Sequence, residues 1–202
     1  LHTVDISSDG SVFVLGVVNE SAHGFVQRFE LNNTSWVKSH NDLVGDQSGD
    51  YFGQNIAIST DGTTVAVGAP RYDGDVVDVG RVQVFRILEN GWEQIGQTII
   101  GVKQYGRFGG ALSLARNGQT LVVGAERSST RVFDISNGTW RQIGDEIAKN
   151  GNRVATTISS DGQVIVNGAA YSGVNGHLAG QAGVYKRQQD TDTNTLPVSL
   201  TV

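Results

Sequence analysis

Apolar and polar residues alternate along most of this chain, and the same short polar turn interrupts the alternation four times. The turns read Ser7-Ser8-Asp9-Gly10, Ser59-Thr60-Asp61-Gly62, Ala115-Arg116-Asn117-Gly118 and Ser159-Ser160-Asp161-Gly162. Ahead of them stand Val4/Ile6, Ile56/Ile58, Leu112/Leu114 and Thr156/Ile158, each pair spaced as on one face of a strand. Behind them run Val12 to Leu15, Val65 to Val67, Leu121 to Val123 and Val164 to Val166. Asp-Gly and Asn-Gly supply the positive φ that a tight connection demands, so each copy is a predicted β-hairpin.

The second strand of each hairpin ends in small residues: Gly16, Gly68-Ala69-Pro70, Gly124-Ala125 and Gly168-Ala169-Ala170. A third strand follows at Phe25–Phe29, Arg81–Phe85, Thr130–Phe133 and Gly183–Tyr185, and a fourth opens at Trp36, Trp92 and Trp140. Four strands per repeat, with a period of about 45 to 56 residues, predict an all-β chain of four-stranded antiparallel propeller blades. The repeats span about 1–49, 50–105, 106–150 and 151–202 of one domain, with a polar tail segment at 188–195. Strands near a propeller axis are crowded and need Gly and Ala, while outer strands splay and leave room for tryptophan. Blade packing is therefore the expected role of the three tryptophans, and stacking on a sugar is the alternative.

Composition narrows the function classes. The 27 glycines and 2 prolines fit a chain of short elements joined by tight turns. A net charge of -5 disfavours a nucleic-acid binder, which would carry a basic stripe. No apolar run approaches the roughly 20 residues that span a bilayer as a helix. The chain opens at Leu1 without a signal-peptide pattern, which suggests a processed segment of a longer precursor. Cysteine is absent, so disulfides and thiolate chemistry are excluded. Sequons at Asn19, Asn32, Asn33 and Asn137 mark candidate glycosylation sites.

The repeat resembles the FG-GAP family of integrin α-subunit propellers and of many secreted algal and bacterial proteins. Phe52-Gly53 with Gly68-Ala69-Pro70, and Phe108-Gly109 with Gly124-Ala125, carry the match. Asn137 to Gly144 is similar to the algal and marine secreted branch. The first repeat lacks its Phe-Gly, and Val154-Ala155 replaces it in the fourth, as befits the ends of an array. The resemblance implies an extracellular or cell-surface adhesion propeller, and in several members Ca²⁺ held in the first hairpin. Here that hairpin has shrunk to one carboxylate, whereas Ca²⁺ takes about six to eight oxygens, so those sites are not carried over. Asp73, Asp75 and Asp78, in the loop after Gly-Ala-Pro, are the one acidic set that reads as a candidate cation site; a solvated polar loop is the alternative.

No motif for catalysis emerges. His2, His23, His40 and His177 are scattered without zinc spacing, and no Gly-x-Ser-x-Gly elbow occurs. The expected function is non-catalytic recognition or adhesion, with a protein or polysaccharide bound through loops. The alternatives are a building unit of an extracellular fibre, sheath or wall and, further off, a polysaccharide-active enzyme. The longest loops, 69–80 and 170–181, follow the second strand and share a rim, so Arg71, Tyr72, Tyr171, Asn175 and His177 are the candidate ligand-binding residues. Four blades could close by themselves or form part of a larger ring. The chain begins at an innermost strand and ends at an outer one, which favours a fragment or closure between two chains.

Overall fold

The hairpin forms because its turn satisfies itself. In the first copy the Ser7 hydroxyl donates to Asp9 at 2.6 Å and accepts the Val12 amide at 3.0 Å, while Asp9 accepts the Ser11 amide at 3.0 Å. Asp61 and Asp161 repeat the arrangement, and Asn117 keeps part of it by accepting the Gln119 amide at 2.9 Å. Only the glycine needs positive φ, and the four copies agree: Gly10 70°, Gly62 69°, Gly118 68° and Gly162 73°.

The computed structural model describes residues 2–20, 22–127, 129–147, 152–171, 180–187 and 200–201, and every regular element among them is a strand. Blade 1 contains β1 (His2–Ile6), β2 (Val12–Val17), β3 (Phe25–Asn32), β4 (Ser35–Lys38) and a short β5 (Leu43–Val44). Blade 2 repeats this with β6 (Asn55–Ile58), β7 (Thr64–Ala69), β8 (Arg81–Leu88), β9 (Gly91–Gln94) and β10 (Ile99–Ile100). Blade 3 has β11 (Phe108–Leu114), β12 (Thr120–Ala125), β13 (Thr130–Ser136) and β14 (Thr139–Gln142). Blade 4 has β15 (Asn152–Ile158), β16 (Val164–Tyr171), β17 (Gln181–Lys186) and β18 (Leu200–Thr201), so the tail supplies the fourth strand. All pairings within the sheets are antiparallel. The short β5 and β10, which pair with β3 and β8 beyond the tryptophan strand, have no clear pattern in the sequence.

Each blade has a large-residue face and a small-residue face, and the large face of one packs on the small face of the blade before. Ile56, Ile58, Val65, Val67 and Phe85 of blade 2 cover Val12, Val14 and Val26 of blade 1. Leu121, Val123, Phe133 and Trp140 of blade 3 cover Ala57, Ala66, Val82 and Val84 of blade 2. Ile158 and Ile165 of blade 4 cover Val122 and Val132 of blade 3. Burying each such side chain contributes about 1.5–3 kcal/mol. The tryptophans serve this packing: Trp92 Nε1 donates to the Asn41 carbonyl at 3.0 Å and Trp140 Nε1 to the Ile95 carbonyl at 2.9 Å, each in the preceding blade.

The sequence left closure open, and the faces at the two ends decide it. Val4 and Ile6 on the large face of blade 1 are 66% and 54% exposed, and Val166 and Val184 on the small face of blade 4 are each 39% exposed. The four blades form an open arc rather than a self-closed ring.

Glycine pairs set the junctions. A Cβ on Gly16 would stand 2.1 Å from the Gly53 carbonyl oxygen, and one on Gly68 would stand 2.4 Å from that of Gly109. Gly68→Ala therefore forces two backbones apart and is expected to destabilise the chain by about 1–3 kcal/mol in urea unfolding. The turn carboxylates predict a pH effect. Hydrogen bonds from Ser7 and Ser11 hold Asp9 down from its ordinary 3.8 to about 2, and Asp161 is lowered by Ser159 and the Gln163 amide. A carboxyl lowered by folding stabilises the native state above its unfolded pKa, and that contribution is lost as pH falls through its folded value. Thermal stability should fall from about pH 4 to pH 2, and Asp9→Asn with Asp161→Asn should flatten that slope in melts taken across the range.

Candidate functional site

The rim opposite the Ser-x-Asp-Gly turns carries the most elaborate loops. The stretch Pro70 to Gly80 leaves β7 and returns at β8, and residues 101–107 link blade 2 to blade 3. Backbone hydrogen bonds tie the two segments together: the Tyr105 amide donates to the Val77 carbonyl at 2.9 Å, and the Arg107 amide to that of Asp78 at 3.0 Å. Asp78, Tyr105 and Arg107 of these segments, and Tyr51 in the link from blade 1 to blade 2, sit in the left-handed region, with φ of 49°, 55°, 52° and 62°. Side chains other than glycine pay for that conformation, so four of them on one rim mark a shape held against local preference.

Beneath the rim lies the Asp-x-Phe-Gly segment. Asp50 is buried, accepting the Phe52 amide at 2.9 Å and an Arg81 guanidinium nitrogen at 2.9 Å. Arg81 also pairs with the exposed Asp46 and stacks on Tyr72 at 4.2 Å. Burial pulls the Arg81 guanidinium towards its neutral form, and the carboxylates of Asp46 and Asp50 more than offset it. Phe52 meets Phe85 edge to face at 6.4 Å, and Phe108 meets Phe133 in the same way at 6.2 Å.

On the surface above, the Arg71 guanidinium lies 4.2 Å over the Tyr51 ring, and the Tyr51 hydroxyl donates to Glu20 at 2.8 Å. That hydrogen bond to a carboxylate raises the Tyr51 pKa. Val76, Val77, Val102 and Tyr105 are exposed alongside. The candidate ligand residues divide accordingly. Arg71 is exposed on this surface, while Tyr72 is partly buried beneath Arg81. Tyr171 ends β16, and Asn175 and His177 lie outside the described residues. Tyr51, Val102, Lys103, Tyr105 and Arg107 escaped the sequence reading, although their position just before each Phe-Gly places them on the rim of the Gly-Ala-Pro loop.

Asp73, Asp75 and Asp78 do not gather as a cation site would require. Asp73 accepts the Asp78 amide at 2.7 Å, and the Asp78 carboxylate pairs with Arg107 at 3.2 Å, whose other branch reaches Glu126 at 3.0 Å. Two of the three carboxylates thus shape the loop, and among the described residues no three acidic or histidine side chains converge. The Asn33 and Asn137 sequons occupy exposed hairpin turns with φ of 55° and 50°, on the rim away from this surface; Asn32 and Asn19 are also exposed.

Residues 45–85, which hold the buried Asp50 and the Phe52-Gly53 pair, match the FG-GAP repeat family. That segment is an FG-GAP repeat. It is similar to integrin alpha-11 of Homo sapiens, at 31% identity over 118 residues, and to that of Mus musculus, at 33% over 89 residues. These matches cover 55% and 42% of this chain but only 10% and 8% of the integrins. Among solved structures it superposes on a Bacteroides uniformis protein provisionally named a 6-phosphogluconolactonase, with TM-score 0.67 and 20% identity. A second such protein, from Bacteroides fragilis, gives 0.65 and 16%. The superpositions cover 98% and 100% of this chain and 53% and 54% of those chains, and at such identities they show the fold alone.

The buried ion pair of the FG-GAP repeat yields a contrast in stability. Asp50→Ala leaves Arg81 buried with one exposed partner and should cost about 3 kcal/mol. Asp46→Ala, at the exposed end of the same network, should cost under about 1 kcal/mol. Urea unfolding of the two variants measures the difference.

Proposed function

We propose that this FG-GAP chain is a non-catalytic, extracellular recognition module that engages a protein through the rim built from residues 70–80 and 101–107. The observation that carries the reading is the strained, cross-tied loop pair. Its three left-handed residues, Asp78, Tyr105 and Arg107, and its inter-loop hydrogen bonds hold Val76, Val77, Val102 and Tyr105 in one arrangement beside Arg71. An arginine and a tyrosine set among exposed aliphatic side chains have the composition of a protein-binding hot spot. Pre-ordered loops also lose little entropy on binding.

The integrin resemblance supports an adhesive role at the cell surface. The sequons at Asn32, Asn33 and Asn137 on the far rim would carry glycans without obstructing this one, whereas a glycan on Asn19, next to Glu20, would stand on it. The phosphogluconolactonase likeness does not extend to function at 20% identity, because one fold hosts many chemistries.

Screening the immobilised chain against panels of purified matrix proteins and of polysaccharides tests the reading. A protein ligand whose affinity falls about tenfold or more with Arg71→Ala and with Tyr105→Ala, at unchanged melting temperature, is the expected result. A ligand unaffected by either variant, or binding confined to polysaccharides, would overturn it.

A further inference from the structure

Among the described residues three arginines are buried, and one of them has no counter-charge. Arg28 pairs with Glu30, and Arg81 with Asp46 and Asp50. Arg131, at 9% exposure, joins no ion pair among the described residues. A guanidinium carries five N–H donors, and here Nη2 alone finds an acceptor, the Ile100 carbonyl at 3.1 Å. The Phe108 and Phe133 rings face the guanidinium at 4.1 and 5.4 Å. Burial pulls the Arg131 pKa below the ordinary arginine value, and only the field of Glu146 works against that. A buried charge left in this state is costly, so an unmatched cation calls for an anion.

The space beside Arg131 is that of the blade 2 charge network with its acids removed. Counting back from Phe52 and from Phe108, Asp46 corresponds to Val102 and Asp50 to Gly106. Strand register sets Ser129 in the place of Arg81. Val102, Gly106 and Ser129 line a cleft of about 10 Å³ together with Lys103 and Arg131, and no acidic residue borders it. That is room for about one water-sized guest. Lys103 joins no ion pair among the described residues, and its Nζ donates to the Arg127 carbonyl at 2.9 Å. Ser129 is 4% exposed, and its hydroxyl has no hydrogen-bond partner among the described residues. The nearby carboxylates of Asp78 and Glu126 are engaged by Arg107.

We propose that this cleft binds one chloride ion, which stands in blade 3 where blade 2 has the carboxylates of Asp46 and Asp50. Arg131 and Lys103 provide the opposite charge, and the Ser129 hydroxyl adds a neutral donor. A single-atom anion fits the volume, whereas sulfate or phosphate, with four oxygens each, does not. Water would satisfy the hydroxyl but leave both cations unmatched. The ion ties the link at 101–106 to β13, so it fastens blade 2 to blade 3 at the rim. Arg71 and Tyr105 take no part in it, and the site is independent of what the rim recognises.

Thermal melts test this when sodium chloride is exchanged for sodium gluconate at constant ionic strength, because gluconate is too large for the cleft. The wild-type melting temperature should rise with chloride along a saturating curve, as binding to the folded state requires. Arg131→Met, which keeps an apolar stem and removes the charge, should abolish that dependence. Lys103→Gln, at an exposed position, should move the midpoint to about fivefold more chloride or higher, through loss of one charge-assisted contact. In crystals grown with bromide, one anomalous peak should stand within reach of Arg131 and Ser129. A melting temperature indifferent to chloride, a response equal in the wild type and Lys103→Gln, or a cleft holding only water would each overturn the proposal. A bromide peak without a saturable response in the melts marks an adventitious ion only and overturns it as well.

Discussion

At each of the first two junctions two glycine backbones pass so closely that no side chain fits between them. Gly16 lies on Gly53 and Gly68 on Gly109, and both partners, Gly53 and Gly109, adopt a positive φ, at 86° and 90°. Much of the fold follows from that contact. Once the inner strands meet at glycine, the sheets diverge outwards, and phenylalanine and then tryptophan fill the widening wedge. Phe52 and Phe108 sit beside the contact at 1% and 2% exposure, sealing it from water. The Phe-Gly and the Gly-Ala of the repeat are thus two halves of one joint, borne by neighbouring blades.

The same constraint explains the buried charge. Asp50 precedes the joint and caps the Phe52 amide, which the tight bend would otherwise leave without a partner. A carboxylate in that place needs a counter-charge, and Arg81 supplies it from the start of β8. In blade 3, Gly106 stands at the position of Asp50 and Ser129 at that of Arg81, so acid and base are both absent. Blade 3 buries a different cation there: Arg131 stacks on Phe108 at 4.1 Å and donates to the Ile100 carbonyl at 3.1 Å.

Blades, strand order and the roles of Trp92 and Trp140 were legible because they rest on local periodicity and on residues of extreme size. The rim was less so. Tyr105 and Arg107 look like ordinary link residues until Val77 and Asp78 are brought beside them by the fold, and no spacing along the chain announces that meeting. The acidic run at 73–78 shows the converse. Its carboxylates are close in sequence, but Asp78 turns to Arg107 and Asp73 to a backbone amide. Short β5 and β10 were missed because two residues cannot display a period.

The seating of large face on small face also gives the molecule a direction in time. Each blade offers its small face forward, and the following blade brings the large aromatic face to meet it. During synthesis from the amino terminus, a finished blade is therefore a shallow, ready-made template, and the bulky side chains arrive only when there is a surface to receive them. The greasiest faces of blades 2, 3 and 4 are each covered as soon as that blade is complete. A chain laid out in the reverse order would leave its phenylalanines and tryptophans waiting in water for a partner still inside the ribosome.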